Sequence, residues 1–342
     1  MHVATSKFKV SRFELARRNL RWANSPRVGE ELETLWAGTS KSSKESQYLG
    51  AMEEFAKRIH EEVYRRFYSY KTTIFLCGAG PDKVGSVREK ISEALTTQWY
   101  SYQYDLFQPE DLFEELISGP SHQDLISLEN MLADSVDAVV LAVESCGAFA
   151  ELGSFASNPK LRRKLVCLVD HRYRKDRSFI NFGPLRLLKD KKEGEIIYID
   201  FANPASAIET IRKSISKIRK QDSKSAMVAN VVQAHHFVLP CIYLFEPVSR
   251  TMLAQLVGFA SGADRGRAKA LTAGALAILS RRKEVETTPD GYRLSLAGLS
   301  HFADFGRRGR TGYTMTINVR AMDDLRIAIL NWQYRGKSLS IG

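Results

Sequence analysis

Glu151 is the residue whose type and setting most strongly indicate chemistry. It lies in the segment Ser145–Phe155, which follows the apolar run Asp137–Val143. The apolar run predicts a buried strand, and the apolar spacing after it predicts a short helix. Ligands of open α/β sheets bind at the carboxyl ends of strands. Glu151 is therefore either a solvated residue near the positive end of a helix dipole or a working carboxylate.

Two glycines follow another predicted strand, Thr72–Cys77. Gly78 and Gly80 would let the backbone approach a phosphate or sugar closely. The third glycine of the dinucleotide-binding fingerprint is absent, so this pattern alone does not identify the ligand.

A basic segment leaves the carboxyl end of a third predicted strand, at residues 170–184. It combines arginines with aromatic residues and an amide, namely Arg172, Arg174, Arg177 and Asn181. The segment is either a solvated loop or a clamp for a phosphate-bearing ligand, because guanidinium groups match phosphate oxygens.

The elements that must position these residues alternate between strand and helix. Strands are predicted at 72–77, 102–106, 137–143, 163–169 and 195–200, with amphipathic helices between them and after the last strand. This order predicts a doubly wound, parallel α/β sheet over residues 71–222.

Residues 1–70 form a predicted N-terminal helical region. Helical spacing from about Glu45 to Tyr68 indicates one long amphipathic helix. We expect it to pack on the sheet domain that follows, and the alternative is a role as an assembly arm.

Residues 223–342 show a different pattern. Helices at about 225–236, 248–260 and 265–282 precede a hairpin around Pro289-Asp290-Gly291, with another helix near Ala297. Three helices and a hairpin are the order of a winged helix, which binds either nucleic acid or protein. The basic residues predicted to contact such a partner are Arg281, Arg282, Lys283, Arg307, Arg308 and Arg310.

Charge and composition narrow the class of protein. The 342 residues carry a net charge of +11, and the part from residue 201 onward holds 21 Lys/Arg against 10 Asp/Glu. The excess thus lies in the C-terminal part and favours a polyanionic partner. Four scattered cysteines, with no signal peptide or membrane-length apolar run, predict a cytoplasmic protein without disulfides, a metal site or a membrane partner.

Several sequence blocks together resemble the effector proteins of type II retron anti-phage systems. The resemblance covers roughly residues 72–335, and its main blocks are Thr73–Gly78, Gln108–Phe113, Leu125–Asn130, Glu151–Gly153, Leu161–Leu165, Arg177–Pro184, Val238–Leu244 and Asp290–Tyr292. It implies a nucleoside 2-deoxyribosyltransferase-like domain joined to a winged-helix domain. It also implies partners: a reverse transcriptase and its branched RNA–DNA hybrid (msDNA), in some cases within filaments.

The same resemblance assigns roles in the site. Glu151, in the setting Gly147–Gly153, corresponds to the catalytic glutamate of a toxin that cleaves N-glycosidic bonds, with NAD+ as substrate and no cofactor. Deoxyribosyltransferases usually carry an aspartate before this glutamate, where this chain has Ser145 beside Glu144. This departure disfavours base exchange on deoxynucleosides and favours another sugar-bearing substrate.

The residues suggest a mechanism and two rival functions. A carboxylate at Glu151 can stabilise an oxocarbenium-like C1′ or form a transient ester. We expect Glu144 and Ser145 near the ribose hydroxyls, Gly78 and Gly80 where the ligand approaches the first loop, and Arg172, Arg174 or Arg177 at the phosphate. Gly147 and Asn181 are further predicted substrate-binding residues. The rivals are an enzyme acting on nucleotides or nucleic acid, and a non-catalytic, nucleotide-sensing regulator that binds nucleic acid.

Overall fold

The computed structural model describes residues 43–65, 71–80, 82–97, 103–110, 135–221, 227–303 and 319–338. The helices in these ranges are, in chain order, α1 (Ser43–Arg58), α2 (Val87–Thr96), α3 (Cys146–Ser157), α4 (Pro159–Lys164), α5 (Phe179–Phe182), α6 (Pro184–Lys191), α7 (Ile208–Gln221), α8 (Val231–Phe245), α9 (Arg250–Ser261), α10 (Arg265–Arg281), α11 (Leu296–Ala303) and α12 (Val319–Ser338). A short π-helical segment, Ile59–Tyr64, continues α1.

Five parallel strands form the central sheet. They are β1 (Thr72–Cys77), β2 (Tyr104–Phe107), β3 (Ala138–Ala142), β4 (Leu165–Asp170) and β5 (Glu195–Ile199). The spatial order is β2-β1-β3-β4-β5, and every neighbouring pair is parallel. The predicted parallel α/β sheet is thereby confirmed. The narrower deoxyribosyltransferase-like assignment remains a prediction.

Helices cover both faces of the sheet, which explains why its central strands are continuous apolar runs. Successive strand residues point to opposite faces, so Val139 packs with α3 and α6 while Val140 packs with α2 and α7. Ser86 caps α2 by accepting a hydrogen bond from the Glu89 N–H at 3.1 Å. Val84 precedes this cap, and its side chain is exposed.

A second core joins α1 to the C-terminal helices. Met52, Phe55 and Ile59 are buried in one cluster with residues of α8, α9, α10 and α12. Phe55 makes edge contacts with Phe245 and Trp332, at ring-centroid distances of 6.1 and 5.6 Å. The expectation that α1 packs on the sheet domain was therefore wrong. Its apolar periodicity specified a buried face without specifying which partner buries it.

The predicted C-terminal elements are present in the predicted order, but the first helix, predicted at about 225–236, begins later and runs over Val231–Phe245. After α8, α9 and α10 comes the antiparallel pair β6 (Val285–Thr288) and β7 (Gly291–Leu294), and then α11. Gly291 has a φ of +125°, and a Cβ there would lie 2.5 Å from the Val248 carbonyl oxygen, so the turn requires glycine. The winged-helix assignment itself remains a prediction.

Candidate active site

The candidate site lies where the strand order of the sheet changes direction. From β1 the chain goes outward to β2 on one side and to β3, β4 and β5 on the other. The loops after β1 and β3 therefore diverge at their carboxyl ends, and this crevice is where open α/β sheets bind ligands. Gly78, Gly80, Glu144, Ser145 and Glu151 all follow these two strands, so the fold brings them to one place.

Glu144 joins the two loops. Its carboxylate accepts hydrogen bonds from three backbone N–H groups, those of Ala79 at 3.2 Å, Val87 at 2.7 Å and Arg88 at 2.9 Å. Two of the three donors belong to the first turn of α2, where the helix dipole favours an anion. The carboxylate is thus occupied by contacts within the chain, and its predicted contact with a ribose remains a prediction.

The two glycines after β1 differ in what surrounds them. A Cβ at residue 78 would lie 2.9 Å from both Glu144 Oε1 and Arg88 Cβ, so Gly78 permits the close packing of this loop. A Cβ at residue 80 would meet no atom of the described residues within 4 Å. The predicted approach of a ligand along Gly80 remains a prediction.

Ser145 begins the helix that carries Glu151. Its hydroxyl accepts from the Ala148 N–H at 3.2 Å and donates to the Gly78 carbonyl at 3.4 Å. The residue therefore caps α3 and ties the β3 loop to the β1 loop. Gly147 lies exposed in the first turn of α3, where the nearest atom to an added Cβ would be Ser145 Oγ at 4.0 Å.

Glu151 occupies an unusual environment for a carboxylate. Its Oε2 atom is buried and has no hydrogen-bond partner among the described residues. Burial raises its pKa to about 7, with the charge of Arg88 opposing and that of Glu110 adding to the rise. A desolvated carboxyl group of this kind is typical of a site where the group performs chemistry.

Sequence reasoning missed two charged residues of the site, Arg88 and Glu110. Arg88 Nη1 contacts both carboxylate oxygens of Glu110 at 3.0 Å, and the arginine side chain is only 4% exposed. One signal was available: Arg88 lies three residues before Ile91 and seven before Leu95, so it shares the buried face of α2. An arginine on an apolar helix face is rare unless it is paired.

The basic segment after β4 is folded on itself. Asn181 Nδ2 donates to the carbonyl groups of Tyr173 at 2.9 Å and Asp176 at 2.8 Å, so this amide braces the loop. Arg172 donates twice to Asp170 Oδ2, and the Arg174 guanidinium lies 5.3 Å from the ring centre of Tyr198.

Arg177 is exposed on this segment, as are the aromatic rings of Tyr173, Phe179 and Phe182. The predicted phosphate contacts of Arg172, Arg174, Arg177 and Asn181 remain predictions.

The predicted basic contact surface at the end of α10 has a different environment from the one expected. Arg281 Nη1 donates to the Glu110 carbonyl. Arg282 donates to Asp105 Oδ1 at 2.8 Å and to the Leu106 carbonyl at 2.6 Å. Both arginines thus already contact residues 105–110, and their predicted contact with nucleic acid or a partner remains a prediction. Lys283 is exposed, whereas Arg307, Arg308 and Arg310 lie outside the described residues.

A buried polar cluster lies beneath this contact. Asp105, His235 and His236 bring possible metal-ligand atoms within 4.8 Å of one another. His236 Nε2 lies 3.0 Å from Asp105 Oδ2, and Arg282 holds the other carboxylate oxygen. Although burial opposes ionisation, Arg282 and His236 keep the pKa of Asp105 well below its usual range. Because Arg282 already supplies a cation here, we interpret the cluster as an ionic contact between α8, α10 and β2.

None of the helices in the described ranges combines the length and apolar character that a membrane span requires. Residues 111–134, which hold most of the predicted helical stretch between β2 and β3, lie outside the described residues.

Comparison with known proteins gives consistent matches. Residues 84–287 match the model of the family described as STM3845 retron effector protein. The Escherichia coli protein named "Retron Ec86 putative ribosyltransferase/DNA-binding protein" is 34% identical over 288 residues, which is 80% of this chain and 89% of that protein. The E. coli "Retron Ec73 putative ribosyltransferase/DNA-binding protein" is 26% identical over 146 residues, or 42% of this chain and 46% of that protein.

Proposed function

Because the chain belongs to the STM3845 retron effector family, we propose that it is a toxin of an anti-phage system that cleaves an N-glycosidic bond. The proposed substrate is NAD+, hydrolysed to nicotinamide and ADP-ribose, and the proposed catalytic carboxylate is Glu151. The names of the two relatives, which include ribosyltransferase, support chemistry at the C1′ atom of a ribose.

The observation that carries this proposal is the state of the Glu151 carboxylate. One of its oxygens is buried without a hydrogen-bond partner in the described part of the chain, in the crevice where the sheet order reverses. An acceptor left unsatisfied in a structure costs free energy, so its presence favours a functional reason. A positively charged sugar carbon would satisfy it.

The reaction needs little beyond that carboxylate. The bond between C1′ and the nicotinamide nitrogen breaks with its electron pair going to nitrogen, so nicotinamide leaves neutral and needs no proton. The oxocarbenium-like C1′ is stabilised by the Glu151 anion or forms an ester with it. Water then adds to C1′ and gives its proton to the carboxylate, which completes hydrolysis.

Other residues would hold the site loops and the substrate in place without taking part in the reaction. In this proposal Glu144 fixes the first turn of α2 and the β1 loop through its three backbone contacts. Ser145 starts α3 at the orientation that brings Glu151 to the crevice. Substrate would enter along Gly80, where an added Cβ would meet no described residue within 4 Å, and the exposed Arg177 would bind phosphate.

The family also suggests what controls the toxin. We propose that a reverse transcriptase and its branched RNA–DNA hybrid bind this chain and keep it inactive, in an assembly that extends to filaments. The name DNA-binding protein of both relatives supports a nucleic-acid partner. The excess positive charge after residue 200 is of the sign that such a partner needs.

The test is to measure cellular NAD+ after expressing the chain alone, beside a Glu151→Gln variant and a matched Glu93→Gln control on the exposed face of α2. We expect NAD+ loss with the native chain and the control but not with Glu151→Gln. NAD+ loss that survives Glu151→Gln would contradict the assignment. Toxicity with unchanged NAD+ would instead favour nucleotides or nucleic acid as substrate.

A further inference from the structure

The two arginines at the end of α10 contact the segment that leads to the candidate site. Arg281 donates to the Glu110 carbonyl, and Arg282 donates to Asp105 and to the Leu106 carbonyl. The Arg282 guanidinium also lies 4.2 Å from the centre of the Phe107 ring. Residues 105–110 are therefore held near both ends by the C-terminal helices.

This segment supplies one of the two charges that act on Glu151. The Glu110 carboxylate pairs with Arg88, and Arg88 is itself held through its backbone N–H by Glu144. Arg88 thus has one anchor in the β3 loop and another in the segment that α10 holds. A displacement of Glu110 would leave the positive charge of Arg88 uncompensated beside Glu151.

We propose that Arg281 and Arg282 are positioning residues for the catalytic carboxylate, acting through Glu110 and Arg88. The proposal rests on the proposed function for its catalytic meaning. Contacts join α10 to residues 105–110 and Glu110 to Arg88. The last link, from Arg88 and Glu110 to Glu151, is the effect of their charges on that carboxylate.

The sign of the effect follows from the charges. Among the described residues, the charged groups that influence the ionisation of Glu151 are Arg88 and Glu110. The buried Cys77 lies close enough for Glu151 to raise the pKa of its thiol further, beyond the rise from burial. Glu110 compensates Arg88 and repels the Glu151 anion. Loosening Glu110 therefore makes Glu151 ionise at lower pH.

Arg281 is the better residue to substitute, because it is exposed while Arg282 contacts a buried carboxylate. Arg281→Met keeps the aliphatic stem and removes the contact with Glu110. The matched control is Arg267→Met on the same helix. Arg267 is also exposed and donates to a backbone carbonyl, that of Ala229 at 3.0 Å, far along the chain from the site.

The experiment follows the Glu151 carboxyl carbon by NMR as pH is raised, with Glu151→Gln used to assign the signal. We expect Arg281→Met to lower the titration midpoint by roughly 0.5 to 1 pH unit, and Glu110→Gln to lower it at least as much. The double variant should match Glu110→Gln alone, because both changes act through one group. Arg267→Met should titrate like the native chain.

The inference would be overturned if Glu151 titrated in Arg281→Met with the midpoint of the native chain. It would also be overturned if the shift in the double variant were the sum of the two single shifts. NAD+ hydrolysis measured on the same samples separates the two proposals. A shifted midpoint in a chain that hydrolyses no NAD+ would support the positioning network and refute the proposed substrate. If Arg281→Met hydrolysed NAD+ at the native rate and its Glu151 midpoint were unshifted, the positioning role of the arginines would be refuted and the proposed function would stand.

Discussion

Replacing Glu151 by glutamine should stabilise the protein, and by an amount that grows with pH. In the folded chain, burial raises the pKa of Glu151 to about 7, compared with 4.5 for an ordinary glutamate. Between these values the folded state binds more protons than the unfolded state, so raising the pH lowers the free energy of unfolding. Glutamine does not ionise, so its burial does not carry the cost of placing a charge in this environment.

The size of the effect follows from the shift. At roughly 1.36 kcal/mol per pH unit, the full difference is about 3.4 kcal/mol. Because the side chain is partly exposed, solvent screening reduces the expected value to about 1 to 2 kcal/mol. The penalty is absent below the unfolded pKa and complete above the folded one, so Glu151→Gln should gain most of its advantage on going from about pH 5 to about pH 8.

Urea unfolding of the native chain and of Glu151→Gln at these two pH values measures the difference in their free energies of unfolding. Glu93→Gln, on the exposed face of α2, is the control for the removal of a carboxylate. We expect the two curves to be close at the lower pH and separated at the higher one. Glu151→Gln could instead raise the free energy of unfolding equally at both pH values, or Glu93→Gln could raise it as much. Either result would mean that the folded chain does not desolvate Glu151.

Two further substitutions test the loops of the candidate site and the packing of α1. Glu144→Ala removes the acceptor of three backbone N–H groups. We expect a loss of about 2 to 4 kcal/mol in the free energy of unfolding and at least a tenfold slower base release. A near-native rate would show that the loop keeps its place without Glu144. Phe55→Ala opens a cavity between α1, Phe245 and Trp332; we expect a loss of about 3 to 5 kcal/mol in urea unfolding, and a loss below about 1 kcal/mol would mean that α1 is not part of the C-terminal core.

The parallel sheet could be predicted because its signals are local, whereas its strand order is known only from the structure. Each central strand is an apolar run between polar turns, and the β-α-β order restricts the connections to a few topologies. Glu151 could be singled out because a carboxylate stands among apolar and small residues directly after such a strand. The residue type and its place along the chain were enough.

Other features depend on contacts between distant parts of the chain. Glu110 reads in sequence as an ordinary acidic residue at a helix start, and only the fold brings it to Arg88. The apolar stripe of α1 was visible, but the sequence does not distinguish the sheet from the C-terminal helices as the surface that covers it. Arg282 looked like a surface cation because nothing near it in sequence reveals the buried Asp105.

Glu144 and Glu151 show why environment, and not residue type, assigns roles at this site. The two carboxylates follow the same strand, seven positions apart. Three backbone N–H groups engage Glu144, so its charge is already compensated by the chain, and moving it would disconnect two loops. Glu151 has a buried oxygen without such compensation in the described residues. In the proposed reaction, Glu151 is therefore the carboxylate of the two that would gain stabilisation when a positive carbon forms beside it, and a gain specific to that charged state is what accelerates a reaction.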